Sequence, residues 1–160
     1  MRTLSNAVEA IEKIASMVLI GSMALVLFFN VVYRYFLNDP IFWANEASMY
    51  MMAWATFLSG SLGLKYKSQA SITLLVNRFK GKNRRVINIV SQVIMLIFVA
   101  YLIYISFYWI LNLSGDKSSS MRIPMWIPYS CIPVGLSFAF IHLLSQFFDL
   151  FRKGDDSYES

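Results

Sequence analysis

The stretch Tyr33–Ser48, YRYFLNDPIFWANEAS, decides how this chain folds. One apolar run ends in it and the next begins. Between them stand a cation, Arg34, an Asp39-Pro40 pair, Trp43 and an anion, Glu46. Asp39 can cap the free N–H groups of a helix start, and proline at a first helical position forfeits no hydrogen bond. Trp43 suits a membrane–water interface, where its amphipathic ring is favoured. The stretch predicts a tight turn joining two antiparallel membrane helices. Arg34 and Glu46 then reach similar depth on either side of it. Three readings stay open. They pair and lock the hairpin or dock a partner; each snorkels alone to the headgroups; or they form an ion or proton site, a role that goes with deeper groups.

The composition supports membrane helices. Hydrophobic residues make up 58% and charged residues 14%, against roughly 45–50% and about 25% in a soluble domain. The charges are also segregated into short blocks. The net charge of +5 would suggest nucleic acid in a soluble protein, but its placement favours membrane orientation and no nucleic acid. The single cysteine, Cys131, excludes an intrachain disulfide.

Four runs reach the length of about 20 residues that a bilayer crossing needs. They cover 14–37, 43–64, 86–113 and 126–151. The first is too long for a signal-peptide core and lacks a cleavage site, so it reads as retained. The expected fold is all-α: one membrane domain over 1–160, a bundle of four transmembrane helices.

Lysine and arginine set the orientation. Arg2 and Lys13 precede the first run, and Arg152 and Lys153 follow the last. The connection after Leu64 carries Lys65, Lys67, Arg78, Lys80, Lys82, Arg84 and Arg85. The opposite side has Arg34, Lys117 and Arg122. Basic residues stay inside, so both termini and the middle connection are expected in the cytoplasm. In that connection Ile72, Leu75, Val76 and Phe79 recur at helical spacing between Ser71 and Gly81. This predicts an interfacial amphipathic helix over 71–80, with Lys80, Lys82, Arg84 and Arg85 meeting lipid headgroups. The segment with Leu4, Val8, Ile11 and Ala15 repeats the pattern more weakly.

Two further sets stand out. Ala55, Ser59 and Gly63 are small residues at i, i+4, i+8 and allow close helix packing, within the bundle or against another subunit. His142, Ser145, Gln146 and Asp149 form a polar stripe near the end of the last run, read as rim polarity or a subunit contact. One histidine, one cysteine and no further deep carboxylate make a metal site unexpected. His142 and Ser145 are neighbours without an oxyanion hole, and no phosphate loop occurs. No enzyme, catalytic residue or cofactor is expected.

The pattern NVVYRYFLNDPIFWANEASMYMMAWATFLSGSLGLK, with Arg34, Pro40, Trp43, Glu46, Gly60 and Gly63, resembles the DctQ-like small membrane subunit (Q subunit) of tripartite ATP-independent periplasmic (TRAP) transporters. IPMWIPYSCIPVG, with Pro124, Trp126, Tyr129, Pro133 and Gly135, extends the likeness to the last helix. Family members often carry a histidine and an aspartate where this chain has Gln69 and Thr73. The resemblance implies a bacterial inner-membrane scaffold beside a large membrane subunit that holds the substrate and sodium sites. It also implies docking of a periplasmic substrate-binding protein, for uptake of an organic anion of the sialic acid or C4-dicarboxylate type. Arg34, Asp39, Trp43 and Glu46 then lie near the partners. The alternative is a stand-alone four-helix transporter acting as a homo-oligomer, which ordinarily needs an embedded carboxylate.

Overall fold

The computed structural model describes residues 2–76, 82–113 and 115–152, with side chains described over 5–66, 89–113 and 115–149. The described residues are helical apart from turns, and no strand forms among them; one isolated bridge joins Lys117 and Pro124. The elements are α1 (Arg2–Val32), a π-helical turn (Tyr33–Leu37), α2 (Ala44–Val76), α3 (Lys82–Asn112), the short α4 (Trp126–Tyr129) and α5 (Cys131–Arg152).

Three helical stretches are long and apolar enough to cross a membrane: Ser5–Leu37, Ile89–Asn112 and Trp126–Asp149. α2 is longer than a crossing needs but carries more small and polar residues, among them Ser48, Thr56, Ser59 and Ser61. Its position explains that composition. It packs on α1 along one side and on α5 along another, and α3 packs on the far side of α5. Helices approach closely where residues are small. Gly135 of α5 marks a close approach: a β-carbon there would stand 2.8 Å from Phe57 Cβ and 3.0 Å from the Phe57 carbonyl oxygen.

The first hairpin closes at Asn38, which adopts the left-handed conformation (φ 53°) and donates its N–H to the Tyr33 carbonyl. Asparagine tolerates this conformation better than most residues. Asp39 does not cap α2, contrary to the sequence expectation. The chain makes another turn, with Ala44 N–H on the Ile41 carbonyl (3.1 Å), and α2 starts at Ala44. Pro128 and Pro133 fall in the first turns of α4 and α5, where a missing N–H breaks nothing.

Two expected helix ends move. α1 begins at Arg2 and runs without interruption into the apolar run, so Leu4–Ala15 is not a separate surface segment. An interfacial helix over 71–80 does not stand alone among the described residues: 71–76 are the last turns of α2, and 77–81 lie outside them. Extending a formed helix adds one hydrogen bond per residue, whereas starting a new one requires a costly nucleus. Ser71 therefore does not act as a start signal.

Much of the apolar surface faces outward, including Met17, Val18, Leu25, Phe28, Ile94 and Phe98. Inside, small apolar residues such as Ala47, Ala55 and Ala139 alternate with polar ones such as Ser16, Ser61 and Gln92. A bundle with this inside-out distribution gains little from hydrophobic burial between helices in lipid, so packing and hydrogen bonds hold it.

Candidate functional site at the two ends of the bundle

At one end, the connection from α3 to α4 folds into a small hairpin. Ser118 N–H bonds to the Ile123 carbonyl (2.9 Å) and Met125 N–H to the Asp116 carbonyl (2.9 Å). Arg122 takes the left-handed conformation at its tip (φ 52°). That curl turns successive N–H groups toward Glu46, in the first turn of α2. Glu46 Oε2 accepts from Ser120 N–H (2.8 Å) and Met121 N–H (3.1 Å). Oε1 accepts from Tyr50 Oη (2.7 Å) and from the Ser118 hydroxyl. Two carboxylate oxygens offer about four acceptor directions, and these donors occupy them.

The ion pair between Arg34 and Glu46 is therefore not formed among the described residues. Glu46 does clamp this end of the bundle, but it clamps α2 to the 116–125 hairpin instead of to α1. Arg34 stands exposed on the π-helical turn, and Asp39 and Trp43 are exposed beside it. α1 and α2 are joined here by Asn30 Nδ2, which donates to Asn45 Oδ1 (3.2 Å).

At the opposite end, four helices' worth of polar groups meet in a cluster. His142 of α5 and Glu12 of α1 are wholly enclosed, with Nε2 2.9 Å from Glu12 Oε2. Ser5 Oγ lies 2.8 Å from the other ring nitrogen. Lys65 of α2 donates to Glu9 Oε2 (2.7 Å), Asn6 Oδ1 (3.3 Å) and the Ser5 carbonyl (3.2 Å). Gln146 Nε2 donates to the Lys65 carbonyl (3.0 Å), and Gln92 Nε2 of α3 to the Leu143 carbonyl (3.1 Å). Every long helix thus contributes to the cluster.

His142 is consequently not a surface contact for another subunit, and its partners are Ser5 and Glu12. A Ser–His–Glu chain of hydrogen bonds invites a catalytic reading. Yet His142 and Glu12 have no exposed surface and Ser5 is 3% exposed, so no substrate reaches them. Glu12 escaped the sequence reading because Glu9 and Lys13 surround it and suggest a solvated segment. The available signal was Ser5, Glu12 and Ser16 at i, i+7, i+11, all on one helix face and all buried. Lys65 likewise looks like a loop charge from its place after an apolar run, but it is buried in α2.

The small residues of α2 serve two purposes. Ala55 is buried, and Ser59 Oγ donates to Ser16 Oγ (3.4 Å). Gly60 and Gly63 have open space in front of them. With Ile20, Met23 and Met52 they line an apolar groove of about 760 Å³ between α1 and α2. The side chains of Lys80, Lys82, Arg84 and Arg85 lie outside the described ones.

These features define a class first: a multi-pass helical membrane protein whose buried polar groups bind helix to helix. Residues 23–153 match the family of Tripartite ATP-independent periplasmic transporters, DctQ component, and the chain belongs to that family. The chain is 26% identical to the C4-dicarboxylate TRAP transporter small permease protein DctQ of Vibrio cholerae, over 86% of this chain and 71% of that one. It is 30% identical to a putative TRAP transporter small permease protein of Haemophilus influenzae, over 86% of this chain and 80% of the relative. It is 23% identical to the sialic acid TRAP transporter small permease protein SiaQ of Vibrio cholerae, over 95% and 88%. This family and the apolar helices make it a multi-pass inner-membrane subunit of a transporter.

Proposed function

We propose that the chain is a scaffold: it braces a large permease subunit and offers its outer end to a periplasmic substrate-binding protein. The transported substrate is an organic anion of the C4-dicarboxylate or sialic acid type, and the large subunit carries the sodium sites. The observation that carries this reading is the use of the polar groups. Glu46, His142, Lys65 and one oxygen of Glu12 are spent on contacts between helices and loops of the same chain, while Glu12 Oε1 is buried without a hydrogen-bond partner among the described residues. Glu12 and His142 have no exposed surface, so neither offers an anion or sodium an open site.

In this reading α2 is a fourth span. It runs antiparallel to α1 from Asn45 beside Asn30, past Ser59 beside Ser16, to Lys65 beside Glu9. A helix that accompanies a membrane span along its length shares its environment. Both termini lie in the cytoplasm, as the basic residues require. The outer surface then consists of Arg34, Asp39, Trp43 and the hairpin clamped by Glu46, and it is the docking face. The last described turns of α2, 71–76, then lie toward the cytoplasmic headgroups.

Co-expression with a large permease subunit of the same transporter type, purification in detergent and transport in proteoliposomes test the proposal. The expected result is a stable complex that transports only when the binding protein and a sodium gradient are supplied. Recovery of a homo-oligomer that transports alone would establish the stand-alone reading instead.

A further inference from the structure

α3, like α1, is little enclosed over its membrane-length stretch. Its buried residues, Gln92 and Val99, face α5, to which Gln92 donates a hydrogen bond. On the opposite face Ile94, Ile97, Tyr101, Tyr104, Tyr108 and Leu111 are all exposed. Their spacing alternates three and four residues without a break. That is the 3.5-residue repeat by which one helix lies along another at a shallow left-handed angle.

All three tyrosines of the Ile89–Asn112 span fall in this seam. Tyr101 is 60% and Tyr104 68% exposed, and neither hydroxyl has a hydrogen-bond partner among the described residues. Their depth matters. At 1.5 Å per residue, Tyr101 lies about 17 Å and Tyr104 about 12 Å from the Asn112 end of α3. The hydrocarbon core is about 30 Å thick, so Tyr101 sits near its middle. A phenol is too short to reach headgroups from there. Lipid tails offer its O–H no acceptor, and an unsatisfied polar group in hydrocarbon is costly. The exposed face of α1 makes the contrast. Met17, Val18, Leu25 and Phe28 are equally exposed and carry no hydroxyl. That face is suited to lipid, and the α3 face is not.

We infer that the α3 seam is covered by a transmembrane helix of the large permease subunit, with hydrogen-bond acceptors opposite Tyr101 and Tyr104. This rests on the scaffold reading above and assigns it a face. The acceptors are of the kind polar side chains or freed carbonyls supply inside a membrane protein.

The test places the photo-crosslinker p-benzoylphenylalanine at Tyr101, Tyr104, Val18, Leu25 and Met52, one site at a time, in the co-expressed complex. Adducts with the large subunit should come from positions 101 and 104 at several times the yield from 18 and 25. Adducts with the large subunit only from 18, 25 or 52, or lipid adducts alone at 101 and 104 in an intact complex, overturn the inference and leave the scaffold reading standing. A covalent dimer of this chain through position 101 overturns it in favour of a second copy. Failure of the large subunit to co-purify with the unmodified chain defeats the scaffold reading itself, and the inference falls with it. As a second measure, Tyr101→Phe and Tyr104→Phe keep the rings and remove the hydroxyls. Each should weaken the complex about threefold; unchanged association in the double variant overturns the hydrogen-bonding part of the inference.

Discussion

The imidazole of His142 and the carboxylate of Glu12 meet 2.9 Å apart with neither side chain exposed. They belong to α5 and α1, helices that otherwise touch little compared with their contacts to α2. A polar contact placed there fixes the rotation and register of two helices whose apolar faces would slide. Glu12→Leu leaves the Nε2 side of the ring without a partner, and His142→Leu leaves the carboxylate likewise. Each single change should cost about 1–3 kcal/mol, more where the stranded group is charged. The double change, Glu12→Leu with His142→Leu, should cost less than the sum. Reversible unfolding in mixed micelles, followed by tryptophan fluorescence, measures this. Strictly additive losses would mean the two residues are not coupled.

Glu46 yields a prediction different from the one its sequence context suggests. Glu46→Gln removes the charge that strengthens all four bonds and leaves one acceptor oxygen, so the amide can serve the N–H groups of Ser120 and Met121 only by turning its –NH₂ to the Tyr50 and Ser118 hydroxyls, which must then accept instead of donate. The hairpin over 116–125 should loosen, with faster amide exchange at those two positions. Arg34→Gln should leave their exchange unchanged, and the double change should behave as Glu46→Gln alone. Recovery of slow exchange in the double variant would restore the idea of an Arg34–Glu46 pair.

How far this was legible depended on where each partner lies in the chain. The helices and the turn after Tyr33 could be read because periodicity and Pro40 are local signals. Three of the four partners of Glu46 lie 72 to 75 residues away, and two of these are backbone N–H groups. Backbone donors are the same in every sequence, so a reader looks for a cation and finds Arg34. Lys65 failed for a related reason. A lysine after an apolar run reads as the start of a loop, yet its four-carbon stem lies in α2 and its ammonium reaches Glu9 on the neighbouring helix. Ser71 offered a helix start, and the backbone of α2 passed through it because continuing cost less than stopping.

Gly135 separates close packing from open space. A β-carbon at 135 meets Phe57 Cβ and the Phe57 carbonyl oxygen, neither of which can rotate away. Gly135→Ala should therefore destabilise by about 1–3 kcal/mol, as overpacking does. Adding Phe57→Ala should not rescue it, because the clashing atoms remain. Gly60→Ala and Gly63→Ala meet nothing within 4 Å, so the isolated chain should tolerate both or gain slightly from better helix propensity, about 0.5–1 kcal/mol. Micelle unfolding of the four variants distinguishes the sites. Equal loss at 60, 63 and 135 would show that α2 packs differently on its two sides from the arrangement described.

Orientation is testable with one thiol at each end. Cys131 is buried, so Cys131→Ala gives a background without a reactive cysteine. Ser119 stands exposed at the tip of the hairpin that Glu46 holds, and Ala7 is exposed near the start of α1. Ser5 would be a poor choice at that end, because its hydroxyl is buried against His142. By the positive-inside rule the basic residues predict Ala7 in the cytoplasm and Ser119 in the periplasm. In intact spheroplasts a membrane-impermeant maleimide should label Ser119→Cys and spare Ala7→Cys. Inside-out vesicles should give the reverse. The α3–α5 pair makes the second position informative: with antiparallel helices on either side of the hairpin, Ser119 must lie on the face opposite the His142 cluster, and so opposite Ala7. Labelling of both positions from one side would contradict the packing as well as the charge rule. Labelling of Ser119→Cys only from the cytoplasmic side would leave the packing intact and invert the whole subunit, placing the Arg34–Trp43 surface out of reach of a periplasmic binding protein.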